Sequence, residues 1–160
     1  MKLDTVFSAD AIGKRVSELA RAIDKEYKGQ LVTAVSVLKG SFIFFADLTR
    51  ALHSPLECEF LALSQRHDHI LLDIDHDLKD KNLLIVEELV DTGKTLNYLT
   101  KVLSAREPQS LKSCALIRKN HSVKVDFVGF DVDTSHFLVG YGLDHNDSWR
   151  SLPDIKRLPS

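Results

Sequence analysis

The sequence has little cysteine: only Cys58 and Cys114 occur among its 160 residues. Both lie within apolar runs, so we expect them to be reduced thiols inside the core. A small secreted domain held together by several disulfides needs more cysteines than this. A chain of this length can bury a hydrophobic core without such cross-links, and we expect residues 1–160 to form one domain.

Long hydrophobic segments and an excess of one charge are also missing. No apolar run is long enough to cross a bilayer, and the residues after Met1 show neither the apolar stretch of a signal peptide nor the arginine bias of a transit peptide. The formal net charge is -2, which argues against a broad nucleic-acid-binding surface. The sequence therefore predicts a cytoplasmic protein that binds neither membranes nor nucleic acids.

Short apolar runs alternate with segments of helical spacing along the whole chain. Apolar strands that alternate with helices indicate an α/β protein with a parallel sheet covered on both faces. The last residues, 150–160, look like an irregular tail. Three helices are predicted. The first begins after Ser8 as its N-cap and ends near Gly29, the second covers residues 41–52, and the third runs from about Lys94 to Ala105. The predicted strands are Leu31–Leu38, Glu57–Leu63, Asn82–Val86, Leu111–Ile117, Asp126–Val132 and Phe137–Tyr141, with residues 70–75 as a possible further strand.

The segment Leu84–Leu99 contains Gly93-Lys94-Thr95, which looks like the end of a nucleotide-binding P-loop. A P-loop also needs a glycine five positions before its Gly-Lys pair, because the chain wraps around the phosphates there. That position is Glu88, whose carboxylate would repel the anion. The sequence therefore argues against a P-loop.

The same segment can hold a sugar phosphate. A buried strand leads into Glu87 and Glu88, and Asp91 then begins a turn, Thr92–Thr95, that opens a helix. N–H groups at a helix N-terminus bind phosphate, whereas carboxylates accept bonds from sugar hydroxyls or bind hydrated Mg²⁺. The alternative is that the acids cap a strand end and the turn only joins two elements. Because ligands bind at the carboxyl ends of parallel strands in open α/β sheets, we favour a ribose 5-phosphate site.

These residues resemble the type I phosphoribosyltransferases, whose motif is an apolar strand, two acids, two apolar residues and Asp-Thr-Gly. Within that group the chain is similar to the hypoxanthine-guanine phosphoribosyltransferases. Three further blocks match in order: VLKGSFIFFADL, REPQSLKSCALIRK, and FVGFDV with FLVGYGLDHNDSWRSLPDI. The resemblance implies a parallel-sheet type I phosphoribosyltransferase fold, with helices on both faces and a small hood formed by terminal segments.

The resemblance also implies a purine salvage reaction and a role for each matching residue. The 5-phosphoribosyl group would pass from phosphoribosyl pyrophosphate to N9 of hypoxanthine or guanine, giving IMP or GMP and pyrophosphate. Asp91 is the implied general acid/base near purine N7. The implied ribose and 5-phosphate ligands are Glu87, Glu88, Thr92, Gly93, Lys94 and Thr95. The implied pyrophosphate ligands are Arg150 and the pair Lys39 and Gly40, which lie in a turn with a cis peptide bond. Those of the 6-oxopurine are Lys119, Phe137 and Leu138.

The family further implies Mg²⁺ as cofactor, bound by Asp144 and Glu87, and a homodimer or homotetramer. The sequence departs from the family in its mobile lid, which corresponds here to Ser64–His69 and is shorter and without the family's tyrosine. A second departure is Glu88, where these relatives usually carry aspartate. The short lid predicts more hydrolysis of the sugar phosphate per transfer. Two alternatives stay open: a weakly active or inactive regulatory homologue that binds phosphoribosyl pyrophosphate, and a transferase for another 6-oxopurine such as xanthine.

Overall fold

A computed structural model describes residues 2–66, 69–133 and 135–159. No helix in this part of the chain has the length and apolar character that a bilayer crossing requires. The helices are α1 (Ala9–Tyr27), α2 (Phe42–Ala51) and α3 (Lys94–Ser104). The strands are β1 (Asp4–Phe7), β2 (Val32–Leu38), β3 (Leu56–Leu63), β4 (Ile70–Leu72), β5 (Asn82–Val90), β6 (Ser110–Arg118), β7 (Phe127–Asp131), β8 (Leu138–Val139) and β9 (Ile155–Arg157).

The central sheet has six strands in the order β4-β3-β2-β5-β6-β7. All neighbours pair in parallel except β3 and β4, which are antiparallel. Alternate residues of the strands face two cores: one packs against α1 and α2, and the other packs against α3. The predicted parallel sheet with helices on both faces is confirmed. Since β2 and β5 lie at its centre, their carboxyl ends open into the same edge of the sheet.

A second, antiparallel sheet of three strands has the order β1-β9-β8. It joins the two ends of the chain, as the expected hood does. The prediction of an irregular tail was wrong at β9, because Ile155 is fully buried and its strand pairs with both β1 and β8. The predicted strand Phe137–Tyr141 is reduced to β8 and belongs to this sheet, since Gly140 and Tyr141 turn away with positive φ angles of 95° and 51°.

Two smaller predictions also need correction. The strand expected to end at Val86 continues to Val90, because β6 supplies a parallel partner for Glu87, Leu89 and Val90. Both acids of the motif therefore belong to the strand itself. Cys58 was expected in the core but is exposed on the outer part of the sheet, whereas Cys114 is buried as expected.

Candidate active site

The end of β5 contains an unpaired buried carboxylate. Glu87 is only 6% exposed, and in the described part of the chain its Oε1 atom is buried without a hydrogen-bond partner. Burial raises the pKa of Glu87 to about 8, and the adjacent Glu88 carboxylate adds to the shift. An unpaired buried carboxylate is costly for a folded chain. Glu87 therefore needs a proton or a ligand that the protein itself does not supply.

Glu88 lies on the other side of the strand, against the turn that follows β2. A methyl group on Gly40 would overlap the Glu88 carboxyl group, which shows how closely this carboxyl group approaches the turn. Removal from water raises the pKa of Glu88 to about 7; its own N–H group and Arg150 oppose the shift, and Asp144 adds to it. The two acids of the motif thus face different surroundings.

The turn from β5 into α3 leaves backbone N–H groups available. Gly93 is the N-cap with φ 82°, and the first α3 bond runs from the Asn97 N–H to the Gly93 carbonyl at 2.8 Å. The Lys94 N–H donates to Thr92 Oγ1 at 3.3 Å, while the N–H groups of Thr92 and Gly93 bond to nothing among the described residues. Residues 87–96 line a cleft of about 210 Å³. A helix N-terminus with free donors beside a cleft suits a phosphate.

The turn after β2 forms a second place with free donors. The peptide bond between Leu38 and Lys39 is cis, at the turn where the resemblance placed one. Within the described ranges, the N–H groups of Lys39 and Gly40 have no hydrogen-bond partner. Gly142 closes over this turn, since a methyl group there would overlap the Gly40 carbonyl oxygen. This turn therefore lies between the Glu88 carboxylate and the loop that follows β8.

That loop is held together by Arg150. The guanidinium donates to the Gly142 carbonyl at 2.8 Å and pairs with Asp144 Oδ1 at 2.9 Å and Asp147 Oδ1 at 3.3 Å. Asp144 Oδ2 also accepts a bond from the Asp147 N–H at 2.8 Å. Lys39 Nζ lies 3.7 Å from Asp147 Oδ1, and the pKa of Asp147 is lowered mainly by Arg150 and then by Lys39. The predicted pyrophosphate ligands Lys39, Gly40 and Arg150 therefore belong to one connected surface.

The predicted purine side lies beside the end of β5. The Lys119 N–H donates to the Val90 carbonyl at 2.8 Å, directly before Asp91, and Lys119 Nζ donates to the His136 carbonyl at 2.8 Å. Phe137, next to His136, is 63% exposed. Its neighbour Leu138 is buried in β8 and belongs to the hood. Asp91, Lys119 and Phe137 are thus brought to one side of the cleft.

Residues 2–146 match the phosphoribosyl transferase domain family. The chain belongs to this family. It is 39% identical to the hypoxanthine-guanine phosphoribosyltransferase of Mycobacterium avium over 96% of this chain and 84% of that protein. It is 36% identical to the enzyme of the same name from Dictyostelium discoideum, over 99% and 96%. The crystal structure of the hypoxanthine phosphoribosyltransferase of Trypanosoma cruzi matches with a TM-score of 0.92 at 38% identity, covering 97% of this chain and 95% of that one.

The likeness to these phosphoribosyltransferases confirms the fold class expected from the sequence. The lid expected at Ser64–His69 corresponds to the connection between β3 and β4. There the Ser64 N–H donates to the His69 carbonyl at 2.9 Å. His67 and Asp68 lie outside the described residues.

Sequence reasoning missed the aromatic neighbours of Phe137 in this phosphoribosyltransferase. The His145 ring lies edge-on to Phe137 at 5.4 Å between ring centroids and stacks on Trp149 at 6.3 Å. Trp149 itself has a positive φ of 71°. The clustering of the only tryptophan with a histidine near the matched motif was the available signal. Three rings, instead of one, therefore lie together at the predicted purine side.

Proposed function

We propose that this chain is a purine salvage enzyme that transfers the 5-phosphoribosyl group from phosphoribosyl pyrophosphate to N9 of hypoxanthine and/or guanine. The products are IMP or GMP and pyrophosphate. The relatives named above carry this activity in their names, and the chain spans most of their length. The proposal therefore rests on family membership and on how well the site suits the reaction.

The observation that carries the proposal is the position of Lys119. Its backbone bonds to Val90, the residue before Asp91, and its ammonium group bonds to the carbonyl that precedes Phe137. A protein that only binds the sugar phosphate has no use for a cation and an exposed ring beside the cradle. A cation can donate to the exocyclic oxygen of a 6-oxopurine, and an exposed ring can stack on a purine.

The reaction requires separate groups for the phosphate, the base and the leaving group. The N–H groups of Thr92 and Gly93, with Lys94 and Thr95, would hold the 5-phosphate, and the acids of β5 would accept the ribose hydroxyls. Asp91 would hold or remove the proton of the purine nitrogen N7. The oxocarbenium-like transition state builds negative charge on the pyrophosphate, which the Lys39–Gly40 turn and Arg150 would stabilise.

Of the two predicted Mg²⁺ ligands, Glu87 suits the ion better than Asp144 does. Glu87 offers a carboxylate oxygen that has no partner within the described part of the chain, and Mg²⁺ takes oxygen ligands of this type. Asp144, by contrast, has both oxygens engaged by Arg150 and the Asp147 N–H and would have to exchange one of these bonds. When bound, Mg²⁺ would neutralise charge on the pyrophosphate. A homodimer or homotetramer, a cytoplasmic location and one domain for residues 1–160 stay predictions.

An activity panel tests the proposal. The protein is incubated with phosphoribosyl pyrophosphate, Mg²⁺ and hypoxanthine, guanine, xanthine or adenine in turn, and nucleotide formation is measured by chromatography. We expect transfer to hypoxanthine or guanine and none to adenine, because the Lys119 ammonium donates and cannot accept a bond from an amino group. Tight binding of phosphoribosyl pyrophosphate without transfer to any base would favour the regulatory alternative. Faster transfer to xanthine than to either expected base would favour the other alternative.

A further inference from the structure

Glu88 lies between the part of the site proposed for ribose and the turn proposed for the leaving pyrophosphate. Its backbone is next to the acid Glu87, but its carboxyl group rests on Gly40, with Oε2 at 3.2 Å from the position of a Gly40 Cβ atom and Oε1 closer. The N–H groups of Lys39 and Gly40, which have no partner among the described residues, belong to the same turn. The carboxylate is therefore next to the donors that a diphosphate would need.

The charged groups that act on Glu88 belong to the surface formed by the predicted pyrophosphate ligands. Arg150 acts on the Glu88 carboxylate as its favourable neighbour, while Asp144 acts as an unfavourable one. Arg150 and Lys39 both approach Asp147 from this side, at 3.3 and 3.7 Å. A pyrophosphate bound by Lys39, Gly40 and Arg150 would therefore lie close to the negatively charged Glu88 carboxylate.

We propose that Glu88 limits the affinity of the site for pyrophosphate: its carboxylate rests on the Gly40 turn, where the diphosphate would bind, and has to withdraw when the diphosphate enters. This inference rests on the proposed function, since that function assigns the turn to pyrophosphate. Aspartate at this position would hold the charge one carbon–carbon bond, about 1.5 Å, further from Gly40. Glutamine would keep the length and remove the charge.

Calorimetric titration with inorganic pyrophosphate, in the presence of Mg²⁺, tests the inference on the full chain. We expect Glu88→Asp and Glu88→Gln each to lower the Kd for pyrophosphate. The decrease should be about tenfold, because each change removes a close contact between two negative charges. Ribose 5-phosphate serves as the second probe, and neither variant should bind it more tightly. Because glutamine is a poorer Mg²⁺ ligand than a carboxylate, tighter binding by Glu88→Gln cannot come from the metal.

The matched control is Glu26→Asp, which makes the same change in an exposed residue that pairs with Lys112 at 3.2 Å and should leave both Kd values unchanged. Thermal unfolding of every variant verifies that it is folded. Pyrophosphate binding that is unchanged or weaker in either Glu88 variant would overturn the inference. If the wild type forms nucleotide in the activity panel, that result leaves the proposed function intact. If the wild type forms none, the proposed function fails, whatever pyrophosphate binding shows.

Discussion

The two ends of the central sheet differ in how their polar groups are satisfied. At the amino end, residues including Gln30, Thr33, Lys81 and Asn82 line a cleft of about 450 Å³. Lys81 and Thr33 both bond to Glu57, at 2.5 and 3.1 Å, and Asn82 bonds to Gln30 at 3.2 Å. The cleft at the carboxyl end is about half as large. There, however, Glu87 Oε1 has no partner among the described residues.

Unpaired polar groups, and not cleft volume, therefore distinguish the end of the sheet where we propose that the ligands bind. Polar groups that bond to each other stabilise the fold and leave little for a ligand. Polar groups left unpaired destabilise the free protein and become useful when a ligand arrives. Matched substitutions at the two ends can test this difference.

Asp91→Asn should have the largest effect. Loss of the acid/base group should lower kcat by about 10²–10⁴-fold, the usual contribution of general acid–base catalysis. The control is Asp80→Asn, the same change at the amino end, where asparagine tolerates the positive φ of 59°. Initial rates with hypoxanthine measure both. Equal rates for Asp91→Asn and wild type would remove Asp91 from the mechanism.

Lys119→Met should raise the KM for the purine by about 10–100-fold, because a hydrogen bond from a charged donor is worth roughly 1.5–3 kcal/mol. The KM for phosphoribosyl pyrophosphate should change much less, since the Lys119 ammonium group bonds to the carbonyl that precedes Phe137, on the side proposed for the purine. Lys81→Met is the control at the amino end. Steady-state kinetics with each substrate varied separately gives both constants. A rise in both KM values by the same factor would show that Lys119 only supports the fold.

Glu87→Gln should make the free protein more stable at pH 8 and less active. The pKa of Glu87 is raised in the folded state from 4.5 to about 8, so its stabilising contribution is present below pH 4.5 and is lost as the pH rises through 8. Glutamine has no charge to bury, and the gain at pH 8 should be about 1–3 kcal/mol. Chemical unfolding at pH 5 and pH 8 measures it. A gain of the same size at both pH values would contradict this assignment.

Glu57→Gln, at the amino end, should give the smallest effect and the opposite sign. Lys81 and then Thr33 lower the pKa of Glu57 against the opposing effect of burial, so its contribution is present above its ordinary pKa and lost as the pH falls. The pair is substantially exposed, which limits the loss at pH 8 to roughly 0.5 kcal/mol. Denaturant unfolding and kcat/KM are measured together. Any clear loss of kcat/KM would mean that the amino end also takes part in function.

The candidate site was predictable where its residues are contiguous. The order of the run from Glu87 to Thr95 predicted acids at a strand end followed by a glycine turn into a helix, although the strand itself continues to Val90. Lys119 was predictable only through the family resemblance, although it lies at the end of the neighbouring strand. A single sequence could not show that the Lys119 N–H bonds to the Val90 carbonyl, directly before Asp91 and the turn that follows it.

The contacts between distant segments were not predictable from local pattern. The strand β9 has only three residues and gains its order from β1, about 150 positions away, and from β8. The pairing of Arg150 with Asp144 depends on the fold of the loop after β8, and the contact of Glu88 with Gly40 depends on the pairing of β5 with β2. Cys58 shows the same limit, since its apolar neighbours could not reveal that its own position on β3 is exposed.

The most direct test of the account is a product balance by ³¹P NMR. Wild-type protein is mixed with phosphoribosyl pyrophosphate, Mg²⁺ and hypoxanthine, and the signals of IMP, pyrophosphate and ribose 5-phosphate are followed in one sample. The account predicts that IMP and pyrophosphate appear together. Hydrolysis under the short lid releases one pyrophosphate with each ribose 5-phosphate, so the amount of pyrophosphate should equal the sum of IMP and ribose 5-phosphate. Phosphoribosyl pyrophosphate that stays intact, or ribose 5-phosphate without IMP, would contradict it.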